Sequence, residues 1–289
     1  MAIDYQRLKA WPFPEIEHKY GAKDTILYAL GLGLGADPTD RDQLRFVYEE
    51  GLQALPTMAV VLAYTGFFAR NPETGIDWKR VLHGEQGIVL HKPLPASGTV
   101  VGRTVIDEII DKGEGKGALL YSRRDIRDKE TGELLASLHS TSFLRGDGGF
   151  GGPTGPAKPV HALPERAPDL AVEIATLPQA ALIYRLSGDY NPLHADPEIA
   201  KAAGFARPIL HGLCSFGVAG HALLKALCGY DPARLKRMEV RFSAPVFPGE
   251  TIRTEIWREG EGRFGFRCKV AERDIVAINN GLAEVAQIS

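Results

Sequence analysis

Two stretches, "HKPLPASGTV" at residues 91–100 and "SAPVFPGETI" at residues 243–252, share a pattern that local secondary structure does not explain. Each is preceded, 37 residues before its first proline, by another proline next to an apolar run: Pro56 in "LPTMAVVLAY" and Pro208 in "RPILHGLCSF". Thr99 and Thr251 then fall six residues after Pro93 and Pro245. Farther upstream, "ILYALGLG" (26–33) matches "LIYRLSGD" (182–189), pairing Tyr28 with Tyr184 and Leu30 with Leu186. One such match is chance; several at near-constant spacing are an internal duplication.

The chain therefore reads as two copies of one unit, residues 1–145 and 169–289, joined over 146–168 by a linker. The joining stretch "RGDGGFGGPTGPAKPVHALPERAPD" (145–169) is too rich in Gly and Pro for a regular element. Each copy shows an early helical segment, a loop, a longer helix and then β-type runs. In the first these runs are "TVVGRTVIDEII", "GALLYSRRDIR" and "ELLASLHSTSFLR". In the second they are "RMEVRFSAPVF", "TIRTEIW", "FGFRCKVAERD" and "IVAINNGLAEV". Several alternate with period two and are rich in β-branched and aromatic residues. Helix followed by strands is an α+β pattern, a curved antiparallel sheet around a central helix. In the second copy that helix is "HGLCSFGVAGHALLKAL" (211–227), apolar nearly all round and so expected to be buried. Gly212, Gly217 and Gly220 permit close approach of a neighbour. The helix start offers unsatisfied N–H groups and a positive dipole end.

Composition excludes several classes of function. With 289 residues, 44% of them apolar, the chain can bury a sizeable core. A formal charge of −2 gives no global footprint for nucleic acid. Cys214, Cys228 and Cys268 are too far apart for a metal clip and read as reduced core thiols. No apolar run approaches a membrane span, the first twenty residues lack a signal core, and "VAQIS" is not a Ser-Lys-Leu address. A soluble cytoplasmic protein is the expectation.

The chemistry concentrates in "YRLSGDYNPLHAD" (184–196), which gathers Asp189, Asn191 and His194 around Pro192. Turn formation accounts for part of it. Asp196 is placed as an N-cap, with Pro197 at the first helical position and Gly204 as the stop. Asp189, Asn191 and His194 have no equally good structural reason, because one turn does not need all three. The duplication sharpens the point: opposite Ser187, Gly188 and Asp189 the first copy has Gly31, Leu32 and Gly33. Opposite His211 and Gly212 it has Ala59 and Val60. Both copies keep the scaffold and only one keeps the polar groups, so one copy does chemistry and the other binds or packs. A carboxylate and an imidazole can hold one water between them and move its proton, Asn191 can orient it, and the Gly212 N–H can stabilise charge on a carbonyl oxygen. These parts suit addition of water to a double bond conjugated to a carbonyl, its reversal, or hydrolysis of a thioester.

"YRLSGDYNPLHAD" followed by "GFARPILHGLCSFG" resembles the signature of the R-specific 2-enoyl-CoA hydratases (hydratase 2, MaoC-like). The resemblance extends through "LHGEQ" (82–86), "GDGGFGG" and "APVFPGET", and is strongest to the hydratase part of peroxisomal multifunctional enzymes of type 2. It implies a double hot-dog fold with one active site and a degenerate N-terminal half that accommodates the acyl chain. It also implies catalytic acid–base positions at Asp189 and His194, a water-orienting Asn191, and a backbone donor to the thioester carbonyl at Gly212. His83, Gly84, Lys112, Tyr190, Pro192, Leu193 and Phe242 fall at positions that contact the CoA ester. The implied reaction is reversible syn hydration of a trans-2-enoyl-CoA to a (3R)-3-hydroxyacyl-CoA, as in fatty-acid β-oxidation. The partner is thus an acyl-CoA substrate, with no metal and no further cofactor, and a homodimer of the double unit is compatible with it. Taken alone, Lys112 also reads as a solvated lysine, Phe242 as core, and His83 as the end of a strand.

Two rivals use the same residues: a hot-dog acyl-CoA thioesterase with Asp189 activating water, and a non-catalytic CoA-ester-binding subunit. Asn191 and His194 beside Asp189 favour the hydratase over both. A dinucleotide site at "GLGLGA" (31–36) is rejected, because no strand–turn–helix surrounds it.

Overall fold

In the computed structural model, which describes residues 2–287, ten strands form one antiparallel sheet in the order β1-β3-β4-β5-β2-β7-β10-β9-β8-β6. The first copy supplies β1 (Ile16–Tyr20), β2 (Val81–Leu90), β3 (Gly98–Asp111), β4 (Ala118–Asp128) and β5 (Leu134–Leu144). The second supplies β6 (Leu170–Ala175), β7 (Leu235–Phe242), β8 (Thr251–Gly260), β9 (Arg263–Val270) and β10 (Ile275–Val285). The order reads alike from either end, and the junction fixes the symmetry. The spacing that relates Pro93 to Pro245 also relates Gly87 to Glu239. These two residues face each other where β2 pairs with β7, so a pseudo-twofold axis passes between them. The duplicated halves are therefore one continuous sheet, as in a double hot-dog.

Six helices accompany it: α1 (Tyr5–Lys9), α2 (Ala22–Gly31), α3 (Arg41–Leu44), α4 (Ala180–Tyr184), α5 (Pro197–Ala202) and α6 (Gly212–Leu223). The expected central helix of the second copy is α6, continued over Leu224–Cys228 as a wider π-type turn. Cys214, Phe216, Val218, Ala219, Ala222 and Leu223 are all but inaccessible, because β6, β7 and β8 wrap one side of α6 and the first copy covers the other. Two glycines permit that second contact. A Cβ on Gly217 would lie 2.7 Å from both methyls of Leu32, and one on Gly220 only 2.4 Å from the Thr57 methyl. The α5 caps are as expected: the Asp196 carboxylate accepts the Glu198 N–H at 2.8 Å, and Gly204 takes a φ of +88°. None of the helices is long and apolar enough to cross a membrane among the described residues. All three cysteines are buried and unbridged.

The first copy departs from the sequence expectation. Where the second has α6, it has only a 3-10 turn over Pro56–Val61, followed by further 3-10 turns at Phe68–Arg70 and Pro72–Thr74. The run breaks at Leu62, which is extended, and at Ala63, whose φ is +47° and whose N–H donates to His18 Nδ1 at 2.9 Å, so no long helix propagates. The linker is no slack tether either but a strap pinned to both copies. The Asp111 carboxylate accepts N–H bonds from Gly149 at 2.7 Å and Gly151 at 2.9 Å, besides Gly113 at 2.9 Å. Farther on, Lys158 N–H donates to the Tyr121 hydroxyl and Asn280 donates to the His161 carbonyl.

Candidate active site

The knot at 187–196 folds by its own short-range chemistry. Gly188, at φ +119°, turns the chain out of the short helical stretch that ends at Ser187. Asp189 Oδ1 then accepts the Asn191 N–H at 3.2 Å, and Asn191 Oδ1 accepts the Leu193 N–H at 3.2 Å. The Asn191 oxygen is thereby committed, and its NH₂ is left as a donor. Pro192 starts a 3-10 turn ending at His194, which swings that imidazole inward to 8% exposure while Asp189 stays half-buried.

His194 Nδ1 lies 2.9 Å from the Ile209 carbonyl oxygen, so Nδ1 carries the proton and Nε2 is the free base. Burial lowers this imidazole below its ordinary value, opposed by the Ile209 bond and the Asp189 charge. A carboxylate oxygen of Asp189 and one ring nitrogen each of His194 and His211 lie within 4.8 Å of one another. That span holds one bridging water. The trio also has the donor set of a cation site. The two rings are stacked at 3.7 Å, and each donates one N–H to a backbone carbonyl, which leaves one bare nitrogen on each ring.

Gly212 opens α6, so its N–H has no acceptor within the helix. A Cβ there would sit 3.5 Å from the Phe242 ring, which places Phe242 across the helix start. Phe242 in turn meets the His83 ring edge-on at 5.0 Å. His83 belongs to β2 of the first copy and reaches this wall across the β2–β7 junction. Its β5 pairing slips between His83 and Glu85, so Gly84 is the extra residue of a β-bulge that sets the direction of His83. His83 Nε2 is also 3.1 Å from the Ser140 hydroxyl. Thus Asp189, Asn191, Pro192, Leu193, His194 and Gly212 form one side, and His83, Gly84 and Phe242 the other. Tyr190 is exposed at the rim with the Arg185 guanidinium 5.1 Å from its ring centre. Lys112 is not brought here: it follows the end of β3, and its ammonium donates to the Gly155 carbonyl at 3.0 Å.

Behind the knot lies a cleft of about 150 Å³, lined by Leu27, Met58 and Val61 on its apolar side and by His18, Asp24 and Ser187 on its polar side, among others. Its floor includes the 3-10 turn that stands in for a central helix in the first copy. Sequence reasoning passed over His211, which turns out to touch both Asp189 and His194. The signal was present, since His211 is one of the polar positions that the first copy replaces, with Ala59.

Residues 159–280 match the model of the MaoC like domain, and residues 18–146 that of the MFE-2 hydratase 2 N-terminal domain. The chain is 44% identical to 3-hydroxyacyl-thioester dehydratase Y of Mycobacterium tuberculosis, over 95% of this chain and 94% of that one. It is 40% identical to the peroxisomal enoyl-CoA hydratase 2 of Arabidopsis thaliana, over 92% and 91% of the two chains. A MaoC-like dehydratase from Phytophthora capsici superposes with a TM-score of 0.87 at 39% identity, covering 99% of this chain and all of that one. Both halves of the duplication are thus accounted for together, and the chain belongs to the MaoC-like hydratase 2 family.

Proposed function

We propose that this protein adds water reversibly to trans-2-enoyl-CoA thioesters, giving (3R)-3-hydroxyacyl-CoA. The observation that carries the reading is the convergence of the Asp189 carboxylate and the His194 imidazole across a one-water gap, at the start of a helix with a free N–H. Water held by Asp189, His194 Nε2 and the Asn191 amide attacks C3. Its proton passes to the acid–base pair, and a proton reaches C2 from the same face, so that addition is syn. The electron pair displaced from the double bond runs to the thioester oxygen, where the Gly212 N–H stabilises the negative charge. The conjugated carbonyl is the electron sink, so the step as written needs neither a metal ion nor a redox cofactor. Dehydration is the same path with acid and base exchanged.

The CoA arm leaves along the wall of His83, Gly84 and Phe242, and the acyl chain enters the cleft behind the knot. Lys112, committed to the strap, meets a CoA phosphate only by releasing Gly155. Cytoplasmic residence and a homodimer of the double unit belong to the same proposal. The names borne by the relatives, an enoyl-CoA hydratase 2 and a hydroxyacyl-thioester dehydratase, support the two directions of one reaction.

The test is to supply a medium-chain trans-2-enoyl-CoA, follow loss of the conjugated absorbance, and determine the product's C3 configuration. The 3R product is expected, with kcat lowered about 10²- to 10⁴-fold in Asp189→Asn and in His194→Gln. Release of free CoA without a hydroxyacyl product would make the protein a thioesterase, and retention of the ester unchanged would make it a binding subunit.

A further inference from the structure

The proposed reaction leaves His211 without a task, yet its surroundings are built with care. The residue is 1% exposed. Its ring stacks on that of His194, with centroids 3.7 Å and planes 29° apart, and the Tyr184 ring backs it at 5.0 Å. Nε2 lies 3.1 Å from the backbone carbonyl oxygen of Asp189. A carbonyl only accepts, so Nε2 carries the proton and Nδ1 is bare. That Nδ1 is buried without a partner, as are the hydroxyls of Tyr28 and Tyr184 just behind. An apolar ring would fill the same space and leave no orphaned nitrogen. Packing alone therefore does not account for an imidazole here.

We infer that His211 is a positioning residue for the hydration proposed above, and the inference rests on that reading: its ring fixes the plane of His194, and its Nε2–H clamps the Asp189 backbone, so that carboxylate and base stay one water apart. Gly212 follows it in the chain, so the same residue sets where the helix N–H begins. One side chain thus ties the acid–base pair to the thioester donor.

Its charge state suits the role. Burial holds the His211 imidazole down to about 4, helped by His194 and Arg185 and opposed by Asp189. Tyr184 is the remaining titratable group facing the ring. Near neutral pH, His211 stays uncharged while its stacked neighbour takes and returns a proton. Two imidazolium rings at this separation would repel strongly.

Two variants divide the role. His211→Phe keeps a ring against His194 and removes the clamp; His211→Gln keeps a donor toward the Asp189 carbonyl and removes the ring. With medium-chain trans-2-enoyl-CoA, each is expected to lose about 10- to 100-fold in kcat, the scale of a small misplacement of reacting groups, with KM within about twofold. His211→Phe sheds an orphaned nitrogen along with one hydrogen bond, so its Tm should stay close to that of the wild type. Activity and stability then separate. Wild-type kcat in both variants overturns the inference. So does a raised KM with kcat retained, or a loss of kcat that merely tracks the loss of folded protein by circular dichroism. A wild-type protein that hydrates nothing removes the reaction itself, a failure distinct from these.

Discussion

His221 should make this fold lose stability below neutral pH, by an amount its surroundings define. The residue sits on α6 at 4% exposure, with Nδ1 3.1 Å from the Leu32 carbonyl oxygen and Nε2 3.2 Å from the Tyr230 hydroxyl. The neutral ring fits both: Nδ1–H donates to Leu32 and Nε2 accepts from Tyr230. Burial drives its pKa down to about 4, helped by Lys225, against the Leu32 bond and Asp40. An unfolded histidine titrates near 6.5, so between these values the unfolded state binds the extra proton. The stabilisation is therefore complete above 6.5 and is lost as pH falls toward 4. The full shift corresponds to about 3 kcal/mol, of which about 2 kcal/mol is gone by pH 5. His221→Asn keeps a donor for Leu32 and cannot titrate, so it isolates this contribution from every other acid-sensitive group. Urea unfolding of both proteins at pH 7.5 and pH 5.0 is the assay. The variant should be the weaker at pH 7.5, having lost Tyr230 as a partner, and the gap should shrink by about 2 kcal/mol at pH 5.0. A gap that stays constant within about 0.5 kcal/mol would refute the reasoning, because His221 would then protonate in the folded state as easily as in the unfolded one.

The close approach of α6 to the first copy predicts that Gly220→Ala destabilises by about 1–3 kcal/mol through its clash with Thr57, outweighing the roughly 1 kcal/mol that alanine adds to helix propensity. Adding Thr57→Ser removes the obstructing methyl, and thermal melts of the double variant should recover most of the loss. Asp196→Ala should cost about 1 kcal/mol by uncapping α5, seen as a lower denaturation midpoint with KM and kcat changed far less than in Asp189→Asn. Asp111→Ala releases three glycine N–H groups, so brief proteolysis should nick the strap near residues 149–155 in the variant and spare the wild type.

Much of this architecture was written in the sequence. β3, β4, β5 and β7 to β10 each coincide with a run of β-branched and aromatic residues, and the α5 boundaries follow from Asp196, Pro197 and Gly204. The strands that escaped notice share a physical cause. β1 and β6 are edge strands of only five and six residues, too short for a period-two pattern to stand out, and β6 directly follows the Gly- and Pro-rich linker. β2 contains Gly84 at its bulge and Gly87 at the axis, and its place between β5 and β7 exists only because the two copies meet. The missing central helix of the first copy was equally hidden, since "PTMAVVLAY" is as apolar as a helix interior and the break at Leu62 and Ala63 carries no glycine or proline. In the candidate site, Asp189, Asn191, His194 and Gly212 were singled out by the polar cluster and the resemblance, and the duplication set Asp189 and Gly212 against Gly33 and Val60 of the other copy. His83 and Phe242 gained a physical role only when β2 and β7 paired. Lys112 was placed by resemblance alone, and the fold ties it to the strap instead.

The first copy has no counterpart of the Asp189 carboxylate or the His211 ring, yet the candidate site does not close without it. Remove it in thought, and β7 becomes an open edge whose unpaired N–H and C=O groups invite aggregation. The face of α6 carrying Gly217 and Gly220 then loses Leu32 and Thr57, and His221 loses the Leu32 carbonyl. His83 vanishes from the wall opposite Gly212. What the first copy has given up is its own long helix, and the turn that replaces it lines the cleft behind the knot. A symmetric pair would fill both concave faces with helix and leave no such cleft. The asymmetry of sequence at Ala59 and Val60 against His211 and Gly212, and the asymmetry of fold at Pro56–Val61 against α6, therefore fall at the same place in the repeat.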